Sequence, residues 1–400
     1  MTRYNFDKIT NRKGTNCLKY DFAVERGKPA DVLPLWVADM DFPVSEEITK
    51  SLHAAVEHGI YGYTQPKDAY YNAVMNWMER NHNWKTEREW IVKTPGVVFA
   101  LGAAVKAFTD PGDAILIQNP VYYPFTNIIR DNDRRVVDNT LIYEKTSGQS
   151  GDNGYRIDFE DFERKLEQEH IKLFILCNPH NPVGRVWTAE ELQQLGEICL
   201  RHHVIVVSDE IHNDFVYPGY EHTVFATVDP RFAEFTVTCT APSKTFNLAG
   251  LQISNIFIPN EKLRKAFQTE IDKTGYDEPN ALGIVACEAA YRAGEDWLDQ
   301  LRAYLLKNLN FLRNFLQEKI PQIHLVEPEG TYLVWLDCSE LGITGKELDQ
   351  FIVDKAGLWL DGGSMFGPSG AAFQRVNIAC PQATLELALN KLKAAVDNLE

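Results

Sequence analysis

The sequence predicts an α/β fold: a mostly parallel sheet covered by helices on both faces, with a second, smaller α/β unit. Three observations carry this expectation. Short, continuously apolar runs alternate with amphipathic helical stretches through the first three-quarters of the chain, the pattern of strands buried on both faces. Polar motifs follow those runs or open the helices, where ligands of such sheets bind. A chain of 400 residues is also too long for one small core and long enough for two packed domains.

Taken in order, the segment before residue 50 is irregular and contains proline, and is expected to wrap back over the smaller unit. Residues 115–117, 173–176, 204–207 and 235–238 read as buried strands. Residues 189–202 read as an amphipathic helix with Thr188 as its N-cap. Residues 147–154 read as a polar, glycine-rich surface loop and the best site for an insertion. Near residue 281 the pattern changes. A long helical stretch runs to about residue 318, interrupted near Gly294, before a strand at 331–336 and a final helix at 383–399. The expected division is a large domain of residues 50–287 and a small one of residues 1–49 and 288–400.

Composition removes several function classes. With 40 basic and 56 acidic residues the formal net charge is -16, which repels nucleic acid and anionic membranes. No apolar run has bilayer length, and the first sixteen residues lack the apolar core of an export signal. The 7 cysteines form no CxxC pair and are odd in number. A disulfide framework or metal site is not expected, and a reducing cytoplasm is the simplest setting.

Six segments could carry chemistry. Lys244, in Ser243-Lys244-Thr245, follows a buried strand, where desolvation lowers its pKa and supplies a neutral amine able to attack an aldehyde. Asp209, at the end of the 204–207 run, can pair with a protonated ring nitrogen, and His212 lies three residues on. Residues 178–184 contain two Asn-Pro steps that form a rigid turn and hold Asn181 as a donor to a phenolate oxygen. Gly96, with Val97 and Val98 opening a helix, offers free N–H groups to a phosphate. Tyr122 and Tyr123 follow the 115–117 strand, and an aromatic there can stack on a planar ring. Arg375, inside an apolar strand, matches a carboxylate. Each also has a plainer reading: a loop lysine, an N-cap aspartate, a satisfied interior histidine, a tight turn, a core aromatic cluster, a structural ion pair. No GxGxxG fingerprint is present, which disfavours a dehydrogenase.

In combination and in chain order, these segments resemble the fold-type I enzymes of pyridoxal 5′-phosphate (PLP), in the class I/II aminotransferase group. Residues 36–42, Tyr61-Gly62-Tyr63, 177–184, 208–212 and 241–252 most resemble PatB/MalY-type cystathionine β-lyases, or C–S lyases. The resemblance spans nearly the whole chain. It implies a seven-stranded, mostly parallel sheet, a cytoplasmic homodimer with shared active sites, and a small amino-acid substrate. Lys244 then holds the cofactor and acts as the base at Cα. Asp209 faces the ring nitrogen, Asn181 and His212 the phenolate oxygen, and Tyr122 the ring face. Gly96, Val97, Val98 and Ser243 hold the phosphate. Arg375, Ala38, Asn181 and Tyr123 meet the substrate. Tyr63 resembles a tyrosine that reaches the neighbouring subunit's site. Two positions depart from the aminotransferase pattern: Ala241 replaces a serine and Gln252 an arginine. Phosphate binding must then rest on backbone N–H groups, Ser243 and the partner subunit.

The activity implied is α,β-elimination from L-cysteine S-conjugates such as L-cystathionine, giving a thiol, pyruvate and ammonia. The rivals are an aminotransferase on the same scaffold and a non-catalytic PLP-binding regulator. The second is expected to have lost Lys244 or Asp209, and both are present.

Overall fold

A computed structural model describes residues 3–145 and 153–399. Its main sheet has seven strands, in the spatial order Ile91–Thr94, Ser254–Phe257, Thr236–Thr240, Ile205–Asp209, Leu173–Cys177, Ala114–Ile117 and Arg135–Asp138. The last five run parallel, while Ser254–Phe257 is antiparallel to both its neighbours. The strands Ala114–Ile117 and Leu173–Cys177 are apolar throughout because both faces are covered. Leu116, Phe174, Leu176 and Val206 pack against Leu192, Leu195 and Ile198 of the helix Ala189–Arg201. Ile115, Ile117, Ile175 and Val207 pack on the other face against Ala100, Leu101 and Ala104 of the helix Val97–Phe108. This is the period-2 alternation of a strand read from both sides. The helix Ala189–Arg201 starts at Thr188 in a capping box with Glu191, then stops as His203 turns left-handed (φ 55).

A second sheet of four antiparallel strands joins His324–Val326, Leu333–Asp337, Phe373–Asn377 and Asp361–Gly362. The helices Ala281–Ala293, Glu295–Lys319 and Gln382–Val396 contribute to the core beside it. The N-terminal segment crosses to this side. Leu33–Pro34 pairs in parallel with Leu358–Trp359, and Asn377 N–H donates to Leu35 O at 2.9 Å.

Three details differ from the sequence expectation. Phe235 closes a 3₁₀ turn (Phe232–Phe235) that packs on Phe225, so its strand begins at Thr236. Thr331 has φ 67 and its hydroxyl accepts the Leu333 N–H, so that strand begins at Leu333. Residues 147–152 of the expected surface loop lie outside the described residues. Its end is not at the surface: Asn153 and Gly154 are buried, and Asn153 Nδ2 donates to Val183 O (2.7 Å) and Glu327 O (2.9 Å). The polar composition of this end serves internal bonding. Among the described residues no helix is long and apolar enough to cross a membrane, and no cluster of His, Cys, Asp and Glu is suited to a metal.

Candidate active site

The carboxyl ends of Leu173–Cys177, Ile205–Asp209 and Thr236–Thr240 open into one cavity of about 180 Å³. It is lined by Ala38, Gly96, Val97, Val98, Tyr122, Asn181, Asp209, His212, Ser243 and Lys244, all named from sequence. Pro95, Cys177, Ile211 and Ala249 complete the wall. Larger clefts exist, such as one of about 640 Å³ around Tyr4 and Tyr304, but it brings no buried lysine to a buried acid.

Lys244 sits in the single helical turn Pro242–Thr245 that follows Thr236–Thr240. Part of its surface stays open to the cavity, while Nζ is enclosed and donates to Ala38 O at 3.0 Å. Burial first, and then the nearby Arg375 charge, lower its pKa to about 8. Ala38 is itself fixed, since Tyr332 Oη donates to the same carbonyl at 3.0 Å. Asn377 Nδ2 donates to Val37 O and Asp39 O on either side.

Asp209 ends its strand inside the sheet. Burial pushes its carboxyl up to about 7, against the opposing pull of the Ile211 N–H (3.2 Å) and Lys244. The plainer N-cap reading is therefore partly right, because the carboxylate does accept a turn N–H. His212 is buried, and burial holds its pKa well below the usual range. Its Nδ1 is a buried polar atom without a hydrogen-bond partner, so it is not a satisfied core histidine.

The turn after Leu173–Cys177 is pinned on several sides. Trp187 Nε1 donates to Cys177 O (3.0 Å), Asn178 Nδ2 donates to Thr223 O (3.2 Å), and the His180 ring meets Pro120 O at 2.9 Å. Arg375 Nη1 donates to Asn181 Oδ1 at 3.0 Å. A guanidinium only donates, so the Asn181 amide nitrogen is left to donate elsewhere. The other Arg375 arm, Nη2, meets Asp361 and Trp36 O, while Nε is buried without a partner. Arg375 thus makes a structural ion pair, bonds to a residue of the cavity wall, and keeps one donor unused.

Three expected residues do not line the cavity: Arg375, which meets its wall through Asn181, and Tyr123 and Tyr63. Tyr123 lines a neighbouring cleft together with Asp361. Tyr63 is 95% exposed and does not line the cavity of its own chain. Gln252, exposed in a left-handed turn, is also absent from the wall. Sequence reasoning missed Asp361 and Tyr332. Asp361 opens the strand Asp361–Gly362 and Tyr332 precedes the strand Leu333–Asp337, and no local motif marks them.

The donor set suits PLP. Gly96 caps the helix Val97–Phe108 with no side-chain capping bond, and nothing lies within 4 Å of where its Cβ would be, so the helix N-terminus is open to a phosphate. A buried acid without a cation suits a pyridinium nitrogen, and the free His212 Nδ1 and the Asn181 amide suit a phenolate.

Residues 30–392 match the family described as aminotransferase class I and II. The chain is 46% identical to cystathionine beta-lyase PatB of Bacillus subtilis, over 98% of this chain and 100% of that one. It is 31% identical to protein MalY of Escherichia coli, over 96% of both. Among solved structures, cystalysin from Treponema denticola, described as containing a pyridoxal 5′-phosphate cofactor, superposes with a TM-score of 0.94 at 37% identity, over 100% of both chains. A PLP-bound C–S lyase from Staphylococcus hominis superposes with a TM-score of 0.91 at 35% identity, over 99% of this chain and 98% of that one.

Proposed function

Because the chain belongs to the aminotransferase class I and II family, we propose that its PLP chemistry is α,β-elimination from L-cysteine S-conjugates such as L-cystathionine. The observation that carries the reading is the 46% identity to a cystathionine beta-lyase along the full length. It is joined to a cavity in which an unpaired lysine and an unpaired acid face the same space.

When bound, the cofactor supplies an electron sink for the pair released at Cα. The residues of the chain do the rest. Lys244, with its pKa near 8, carries the cofactor through Nζ and then takes the Cα proton. Asp209 holds the ring nitrogen's proton by its negative charge. Arg375 orients the substrate carboxylate with the donor capacity left after Asp361 and Asn181. Tyr122 would cover the cofactor's ring, and the Val97 and Val98 backbone with Ser243 would seat its phosphate. The C–S bond at Cβ breaks, the thiol leaves, and the remaining three-carbon fragment hydrolyses to pyruvate and ammonia.

The two sheets support the division into residues 50–287 and residues 1–49 with 288–400. The exposure of Tyr63 supports a homodimer in which this ring enters the partner's site. A solution mass near that of one 45.5 kDa chain would count against the dimer. Seven free cysteines support a cytoplasmic setting.

The test is product analysis. L-cystathionine, with no added 2-oxo acid, is expected to give homocysteine, pyruvate and ammonia in equal amounts. Amino transfer to a 2-oxo acid without pyruvate from cystathionine makes the enzyme an aminotransferase instead.

A further inference from the structure

Arg375 bonds to wall residues of two neighbouring cavities. The inner one, of about 180 Å³, is the candidate active site. The outer one, of about 390 Å³, has Arg26, Lys28, Trp36, Asp349 and Trp359 in its walls, with Asp361. Arg375 links the two walls: Nη1 donates to Asn181 of the inner wall, and Nη2 to Asp361 and Trp36 O of the outer wall. The consecutive residues Tyr122 and Tyr123 line the inner and outer cavities respectively, with ring centroids 5.5 Å apart.

We propose that the outer cavity is a subsite for the distal zwitterion of the substrate, the α-ammonium and α-carboxylate of the amino-acid thiol that leaves. The inference rests on the lyase reading above and names what that site selects. Ligand sites of ordinary drug size run about 300–1,000 Å³, and the inner cavity falls below this even before the cofactor enters it. The far substituent of the sulfur must extend beyond it.

A purely apolar leaving group needs no ions, yet the outer cavity presents both signs. Arg26 lies over the Trp36 ring at 5.3 Å, and Lys28 lines the same wall. On the opposite sign, Asp349 accepts from Gln374 Nε2 at 2.7 Å through Oδ1, which leaves Oδ2 for an ammonium. Asp361 is already held by Arg375. Trp36 Nε1 is buried without an acceptor, a costly state that a ligand carboxylate relieves. Trp36 and Trp359 stack with centroids 4.4 Å apart, a flat apolar wall suited to the methylenes between sulfur and the distal Cα.

The test compares two substrates that share the scissile Cβ–S bond: L-cystathionine, with the distal zwitterion, and S-methyl-L-cysteine, without it. Steady-state pyruvate release is measured for the holoenzyme, for the Arg26→Gln/Lys28→Gln double variant, and for Asp349→Asn. The double variant is expected to raise KM for cystathionine roughly tenfold, equivalent to about 1.4 kcal/mol, with kcat unchanged. Both constants for S-methyl-L-cysteine are expected to stay as they were. Asp349→Asn is expected to shift cystathionine in the same direction by less. If the KM values for the two substrates move together, or neither moves, the subsite is overturned while the lyase reading stands. If the unaltered enzyme releases pyruvate from neither substrate, the lyase reading itself fails and takes the subsite with it.

Discussion

Lys19 and Lys244 are both enclosed lysines, and their surroundings are opposite. Lys19 is fully buried, and Nζ donates to Asp41 Oδ2 at 3.0 Å with Asp39 4.0 Å away. Arg12 adds a second cation at 2.7 Å from Asp41, and Tyr20 Oη donates to the same carboxylate at 2.9 Å. Every charge in that cluster has a counter-charge, and the cluster ties residues 12–20 to residues 39–41. Lys244 instead meets a neutral carbonyl, and its neighbour Asp209 meets a backbone N–H. Among the described residues neither has an ion-pair partner. A buried charge that is paired holds structure. A buried charge left unpaired shifts toward its neutral form, as Lys244 and Asp209 do, and is available for chemistry.

The largest expected effect is the loss of function in Lys244→Ala. Pyruvate release and the visible absorbance of the bound cofactor should both disappear, while the unfolding midpoint stays near that of the parent chain, because one hydrogen bond to Ala38 O is removed. Borohydride reduction followed by peptide mapping checks the attachment. A label on any other lysine would falsify the assignment.

Lys19→Ala should sharpen the contrast from the other side. Removing one partner leaves Asp41 buried with less compensation, so urea unfolding is expected to show a loss of about 3 kcal/mol. Protein that remains folded should still turn over substrate. Normal stability with lost turnover would reverse the roles given to the two lysines.

The effect confined to stability is in pH dependence and needs the cofactor-free chain. The folded Asp209 keeps its proton up to about 7, whereas an ordinary aspartate loses it near 3.8, so between those pH values the native state binds more protons. Stability contributed by that proton is therefore lost as pH rises through the window, by up to about 1.4 kcal/mol per pKa unit. Lys244 has the opposite sign: between about 8 and 10.5 the native state binds fewer protons, and stability rises with pH. Asp209→Asn should flatten the decline between about pH 4 and 7 in a series of urea titrations. An unchanged slope would show that Asp209 is not the group responsible.

Part of this site is legible from local pattern. Asp209 ends a buried strand of the parallel sheet and Asn181 and Lys244 follow two others, and strands of such a sheet deliver their carboxyl ends to one edge. Gly96 is legible for a similar reason, because a helix that opens without a side-chain cap exposes its N–H groups. Arg375 could be recognised as a charge in an apolar strand, but its partner could not. Asp361 reaches it through antiparallel register between Asp361–Gly362 and Phe373–Asn377, which no motif records. The expected surface loop failed at Asn153 and Gly154 because composition cannot distinguish polarity that faces water from polarity that satisfies buried carbonyls.

The sequence by itself determined the strand and helix alternation, the order of the polar turns and the identity of the lysine, acid and asparagine, since these depend on period, turn chemistry and position after a strand. Only the tertiary structure decided which buried charges are paired. Lys19 with Asp41, Arg375 with Asp361, and the isolation of Lys244 and His212 all depend on distances between segments remote in the chain. Electrostatic energy depends on separation and on exclusion of water, and neither is set until the sheets, the helices and the N-terminal segment have packed together.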